Sequence, residues 1–129
     1  MRVKEIVKKA VTITGDKTLK EAAKLMADQG IGCLVVTANG DLVGLVTERD
    51  VLKKVSKDVD SLNKPVRDVM STKIITVEPR THIDDAAKIM SKHKIKKLPV
   101  LDDGKLLGII TSTDLVSNSA DFGGCYLFD

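Results

Sequence analysis

In the stretch TLKEAAKLMADQG, Leu19, Ala22, Ala23 and Met26 share one face at helical spacing, and in HIDDAAKIMSKHK, Ile83, Ala86, Ala87 and Met90 repeat that face. The 3.6-residue period predicts two amphipathic helices. After each comes a short apolar run, CLVVT or KLPVL, then ANGD or DDGK, then LVGLVT or LLGIIT. Two apolar runs separated by Asn-Gly or Asp-Gly predict a strand hairpin. Further helices are predicted at TERDVLKKV and TSTDLVSN, and short strands at AVTIT and IITVE. The chain thus reads strand, helix, strand, strand, helix, twice over.

The two readings are one repeat. Residues 12 to 52 align without a gap on residues 76 to 116, and Thr12, Ala22, Ala23, Lys24, Met26, Ile31, Leu34, Val36, Gly40, Leu42, Gly44, Thr47 and Asp50 recur 64 positions later. The first copy is assigned to residues 3–57, a linker to 58–65, the second copy to 66–118 and a tail outside the repeat to 119–129. The linker stretch is polar with one proline and then starts a short amphipathic segment at Val66, Val69 and Met70. The chain start, RVKEIVKK, echoes that segment one residue out of register, so each copy is expected to carry a leading segment. A single copy of about 60 residues would have a marginal core and an uncovered sheet face. The expected fold class is therefore α/β (α+β-type), two β-α-β-β-α repeats packed as one pseudo-two-fold domain.

Composition narrows the chemistry. An apolar content of 43% over 129 residues suffices for a core, and a charged content of 30% with a net charge of +3 is too balanced for a strongly basic surface. The aromatics, Phe122, Tyr126 and Phe128, all lie in the tail, so a flat ligand bound to the body is expected between aliphatic side chains and backbone, and nucleic-acid binding, which uses stacking rings and a steep charge excess, ranks last. The tail is expected to be a fraying end or an apolar plug that docks in a groove. The start of the chain has no apolar run of signal-peptide length, so a soluble, cytoplasmic protein without membrane association is expected. Cys33 and Cys125 form no CxxC or Cys/His cluster, so no metal site is predicted, and Cys33 is read as a core residue. His82 and His93 occur singly and are read as surface residues. With no motif-supported carboxylate pair or Ser/His/Asp set, no catalytic residue is assigned and the protein is expected not to be an enzyme.

The remaining feature is the pair GLVTERD (residues 44–50) and GIITSTD (residues 108–114). Thr followed three residues later by an acid at a helix start reads as a capping box, as does Thr18 with Glu21. A sharper reading weighs the position. Each Thr follows a strand and precedes a helix N-terminus, which suits phosphate, and a carboxylate in the first turn suits the vicinal hydroxyls of a ribose. Gly44 and Gly108 interrupt strands, which predicts a close approach by a ligand or by the neighbouring copy.

The repeat, with GLVTERD and GIITSTD closing the hairpins, VEPRTHIDDAAKIM opening the second copy and HKIKKLPVLDDGK in its middle, resembles a tandem pair of CBS domains, named after cystathionine beta-synthase. The resemblance covers residues 3 to about 118. It implies a stand-alone regulatory module that binds an adenosine-containing ligand such as AMP, ADP, ATP or S-adenosylmethionine in a cleft between the copies, requires no cofactor, and pairs as a homodimer through its helices, with an unidentified protein target. Carried onto this chain, the family pattern implies that Asp50 and Asp114 hold ribose, and that Thr47 with Arg49, and Thr111 with Thr113, hold ribose or phosphate. Thr12, Ile13, Leu34 and Val35, and Thr76, Val77, Leu98 and Pro99, would enclose adenine, with Lys96 and Lys97 on phosphates. The alternative is a ligand-free dimerisation scaffold in which the TxxD elements are only helix caps. Because lysines occur in the second copy where the first has Gly30, Gly32 and Cys33, two sites of unequal affinity are expected.

Overall fold

The first helix of each copy forms where its apolar face was read. In the computed structural model, which describes residues 1–118, α1 spans Leu19–Gln29 and buries Leu19, Ala22 and Met26; α3 spans Ile83–His93 and buries Ile83, Ala86 and Met90. Thr18 caps α1 in a reciprocal box with Glu21, both bonds being 3.1 Å. His82 takes the same role at α3, its Nδ1 accepting the Asp84 amide at 3.1 Å. This histidine, read from sequence as an incidental surface residue, is therefore a helix cap. Both helices end on a left-handed residue, Gly30 at φ 66° and Lys94 at φ 55°. A glycine adopts that conformation freely; Lys94 adopts it against a Cβ penalty.

The hairpins follow the Asn-Gly and Asp-Gly signals. Strand β2, Cys33–Ala38, turns at Asn39 and Gly40 into β3, Asp41–Thr47; β4, Lys97–Asp102, turns at Asp103 and Gly104 into β5, Lys105–Thr111. All four turn residues have positive φ, as a type I′ turn requires. A register shift follows Val36 in one hairpin and Val100 in the other. The second helices are α2, Glu48–Lys57, and α4, Ser112–Ser117.

The first strand differs between the copies. Thr12–Thr14 forms β1, parallel to β2, with Thr12 opposite Val35. Its counterpart in the second copy shrinks to a single parallel bridge, Val77 with Val100. The cause is one missing donor. In the first copy the Val35 amide bonds the Val11 carbonyl at 3.0 Å; the aligned residue of the second copy is Pro99, which has no amide hydrogen. The second-copy strand keeps only the bonds from Val77 N–H to Pro99 O and from Leu101 N–H to Val77 O.

The chain folds as two units that cut across sequence order. One unit is Ala10–Ile74; the other joins Met1–Lys9 to the chain from Ile75 onward. The leading segments are exchanged. Val3, in a short 3₁₀ turn Val3–Glu5, is fully buried with Val77, Ile83, Ala86, Met90, Leu98, Val100, Ile110 and Leu115, with Ile6 and Val7 against that core. Val66, in the 3₁₀ turn Val66–Asp68, is fully buried with Ile13, Leu19, Ala22, Met26, Leu34, Val36 and Val46, with Val69 and Met70 against it. Backbone bonds seat each segment in the same way: Val3 N–H to Thr81 O and Lys4 N–H to Pro79 O in one unit, Val66 N–H to Lys17 O and Arg67 N–H to Gly15 O in the other. The repeated copy and the compact unit are thus different objects. The leading segment that precedes each copy in sequence completes the core of the other unit.

Candidate functional site

In the unit of residues 10–74, Thr47 closes β3 and caps α2 from an extended backbone at φ −118° and ψ 165°. Its Oγ1 accepts the Asp50 amide at 3.2 Å, while Asp50 Oδ2 accepts the Thr47 amide at 2.9 Å and the Thr47 hydroxyl at 3.0 Å. In the other unit Thr111 and Asp114 repeat the box, with the Asp114 amide on Thr111 Oγ1 at 3.2 Å and the Thr111 amide on Asp114 Oδ2 at 2.9 Å. Both TxxD elements are complete capping boxes. Each aspartate commits Oδ2 to the cap and keeps Oδ1 out of it. Asp50 Oδ1 has no protein partner among the described residues. Asp114 Oδ1 faces Lys8 Nζ at 3.4 Å.

The helix starts offer fewer donors than their position suggested. Glu48 N–H is bonded to Gly32 O at 3.0 Å and Ser112 N–H to Lys96 O at 2.8 Å. With the Asp50 and Asp114 amides taken by threonine, two of the first three helical amides at each site are committed to protein acceptors. Of the first three amides at each helix start, those of Arg49 and Thr113 lie outside these bonds.

Strand register gathers the remaining assigned residues at one end of each sheet. Cys33 pairs with Thr47 and Thr12 with Val35, so Thr12, Val35 and Thr47 lie along the same sheet end, β1 and β3 being about 10 Å apart across β2. Lys97 pairs with Thr111, and Pro99 with Ile109, in the other unit. Alternation then separates the apolar candidates. Ile13, Leu34, Val77 and Leu98 point into the two cores, so a ligand would meet only their backbone. Val35 and Pro99 are buried outside those clusters, Thr12 is exposed and Thr76 half-buried, and these four carry side chains on the opposite face. Arg49, Thr113 and Lys96 are exposed, and Lys97 is half-buried. Cys33, expected in the core, is half-buried at the start of β2.

Thr12 and Ile13 line a cavity of 460 Å³ with Thr14, Lys17, Leu25 and Thr37. Thr76 and Val77 line one of 530 Å³ with Glu78, Thr81, Ile89 and Leu101, which are the same positions 64 residues on. The cavity is made twice, and its polar lining differs. Beside the first, Asp16 is held below the usual carboxylate range, chiefly by the Thr14 hydroxyl.

Of the two approaches expected at the glycines, the structure shows the one by the neighbouring copy. A Cβ at Gly44 would strike the Met70 side chain, and one at Gly108 would strike the Lys8 carbonyl oxygen and Val7. The close approach is made by the exchanged leading segments. Ser71 and Leu45 exchange backbone bonds of 2.8 and 3.0 Å, and Lys8 and Ile109 exchange bonds of 3.1 and 2.9 Å. Lys8, not among the residues expected near the TxxD elements, faces Asp114. The signal that points to it is the leading-segment echo, which sets Lys8 against Ser71.

A family model described as CBS domain matches residues 3–57 and 66–121. The chain belongs to the CBS domain family. It is 36% identical over 115 residues to the uncharacterized protein MJ0450 of Methanocaldococcus jannaschii, covering 86% of this chain and 62% of that protein. It is 39% identical over 116 residues to the inosine-5′-monophosphate dehydrogenase of Nitrosopumilus maritimus, covering 88% of this chain and 23% of the enzyme. Its fold is similar to the crystal structure of the CBS domain pair of protein MJ0100 in complex with 5′-methylthioadenosine and S-adenosyl-L-methionine, with a TM-score of 0.84, 31% identity, and coverage of 96% of this chain and 97% of that one. Among the described residues, no helix is long and apolar enough to cross a membrane.

Proposed function

We propose that this CBS pair is a cytoplasmic regulatory module that binds adenosine-containing ligands at its TxxD elements and transmits occupancy to a protein target without catalysing a reaction. The observation that carries the reading is the division of labour within each aspartate: Oδ2 holds the helix cap and Oδ1 remains on the outer side of the box, where a ribose hydroxyl can donate to it. The bound state of MJ0100 supports an adenosyl ligand as the class. Thr12 and Val35, and Thr76 and Pro99, are assigned to the base, and Arg49, Lys96, Lys97 and Thr113 to the phosphate or other 5′ group.

Calorimetric titration with AMP, ADP, ATP, S-adenosylmethionine and 5′-methylthioadenosine tests the reading. The two aspartates are changed to Asn, which keeps a capping oxygen, and to Ala, which does not. The expected outcome is binding by the unsubstituted chain and about tenfold weaker binding by each Asn form at unchanged melting temperature. Absence of heat with every ligand rejects it.

A second reading, pairing of two chains, is favoured by an apolar groove of 340 Å³ lined by Ala23, Met26, Ala27, Ile31, Val51 and Leu52. Leu52 is 69% exposed on its rim. Such a surface suits a second copy of the same helices, and Leu52→Glu is expected to shift a dimer to monomer in sedimentation.

A further inference from the structure

We propose that Lys8, delivered by the exchanged leading segment, is a specificity-determining residue that tunes the Asp114 site toward ligands with an anionic 5′ group. The inference rests on the adenosyl reading of that site. Lys8 lies 106 positions from Asp114 in sequence, yet its ammonium stands 3.4 Å from Asp114 Oδ1, the oxygen left outside the capping box. Its main chain is independently anchored, exchanging both backbone bonds with Ile109 directly above Gly108. The side chain is therefore held near the carboxylate by backbone contacts that do not need the ammonium.

The first copy supplies the control. Ser71 is seated by the same pair of backbone bonds to Leu45, over Gly44, and offers a hydroxyl where the other unit offers a cation. A phosphate brought to a site whose ribose partner is an aspartate meets like-charge repulsion, and an adjacent ammonium offsets it. Lys97, paired with Thr111 across the hairpin, adds a second cation at the same sheet end. In the first copy the cation of the GLVTERD stretch is Arg49, next to Asp50 in the chain and exposed on the same helix. A ligand that lacks a phosphate has no use for Lys8, and must compete with it for Asp114 Oδ1.

The test uses the full chain carrying Asp50→Ala, so that binding reports the Asp114 site, and compares Lys8→Ser and Lys8→Arg in calorimetry with AMP and adenosine. With Lys8→Ser, AMP is expected to weaken about tenfold at low salt, adenosine to hold or tighten, and the AMP loss to shrink in 0.5 M salt. Lys8→Arg should restore AMP. Melting curves verify that the leading segment stays docked. Equal losses for AMP and adenosine, or no loss for either, would overturn the role of Lys8 while leaving the parent protein's binding intact. Failure of the unsubstituted chain to bind either ligand would instead reject the adenosyl reading and the Lys8 role together.

Discussion

The unit of residues 10–74 and the unit built from residues 1–9 and 75–118 have nearly the same backbone and different chemistry. Both have a buried Leu in the middle strand, a type I′ hairpin, an exchanged Val in the core and a capping box of Thr and Asp. They part at single positions: Val35 against Pro99, Gly30 against Lys94, Thr18 against His82, and Ser71 against Lys8. In the cores Ala22, Met26, Leu34 and Val36 recur as Ala86, Met90, Leu98 and Val100, while Ile13, Leu19 and Val46 give way to Val77, Ile83 and Ile110, apolar residues of similar size that the same packing accepts. Lys94 and Lys8 add charge at exposed positions, whereas the buried Pro99 reduces the first strand to a single bridge.

The core equivalence is the hardest part of that comparison to perturb quietly. Leu34→Ala and Leu98→Ala, both at fully buried positions, are each expected to cost about 3 kcal/mol in chemical denaturation, the two losses agreeing within about 1 kcal/mol. A loss at one position only would show that the two cores are not equivalent.

The glycines should separate the units. At Gly108 an added Cβ meets backbone of the leading segment, which cannot yield without breaking the Lys8 pairing; at Gly44 it meets the Met70 side chain, which can rotate away. Gly108→Ala is expected to cost about 2 kcal/mol or more and Gly44→Ala about 1 kcal/mol, read from melting temperature. The reverse order would mean that Met70 is the more rigid contact.

The smallest effect concerns helix ends. Lys94→Gly relieves a left-handed non-glycine residue and is expected to raise stability by about 0.5 to 1 kcal/mol, whereas Gly30→Ala lowers it by a similar amount. Equal signs for the two substitutions would break the proposed correspondence between the caps.

Local features were legible because their signals lie within a few residues. The apolar face of Leu19, Ala22 and Met26, the Asn39-Gly40 and Asp103-Gly104 turns and the Thr47/Asp50 box each depend on neighbours no more than one or two turns away. Pro99 lacks an amide hydrogen by its covalent structure, but the shortening of its partner strand required knowing that Val35 donates to Val11. Of the site, the aspartates and threonines were readable by their repetition. Strand alternation also contains the orientation of Ile13, Leu34, Val77 and Leu98 toward the cores. The aromatic plug proposed for the tail lies outside the described residues.

By itself, then, the sequence determined the elements, their order, their duplication and the family to which they belong, since periodicity, turn residues and capping chemistry act over short separations. Only the tertiary structure decided which leading segment completes which core, what fills the space above Gly44 and Gly108, and that Lys8 meets Asp114. Those contacts join residues 26 to 106 positions apart, and apart from the Lys8–Asp114 ion pair they are backbone bonds and close packing. Such bonds can be made by almost any residue, so they leave no pattern in the chain to read.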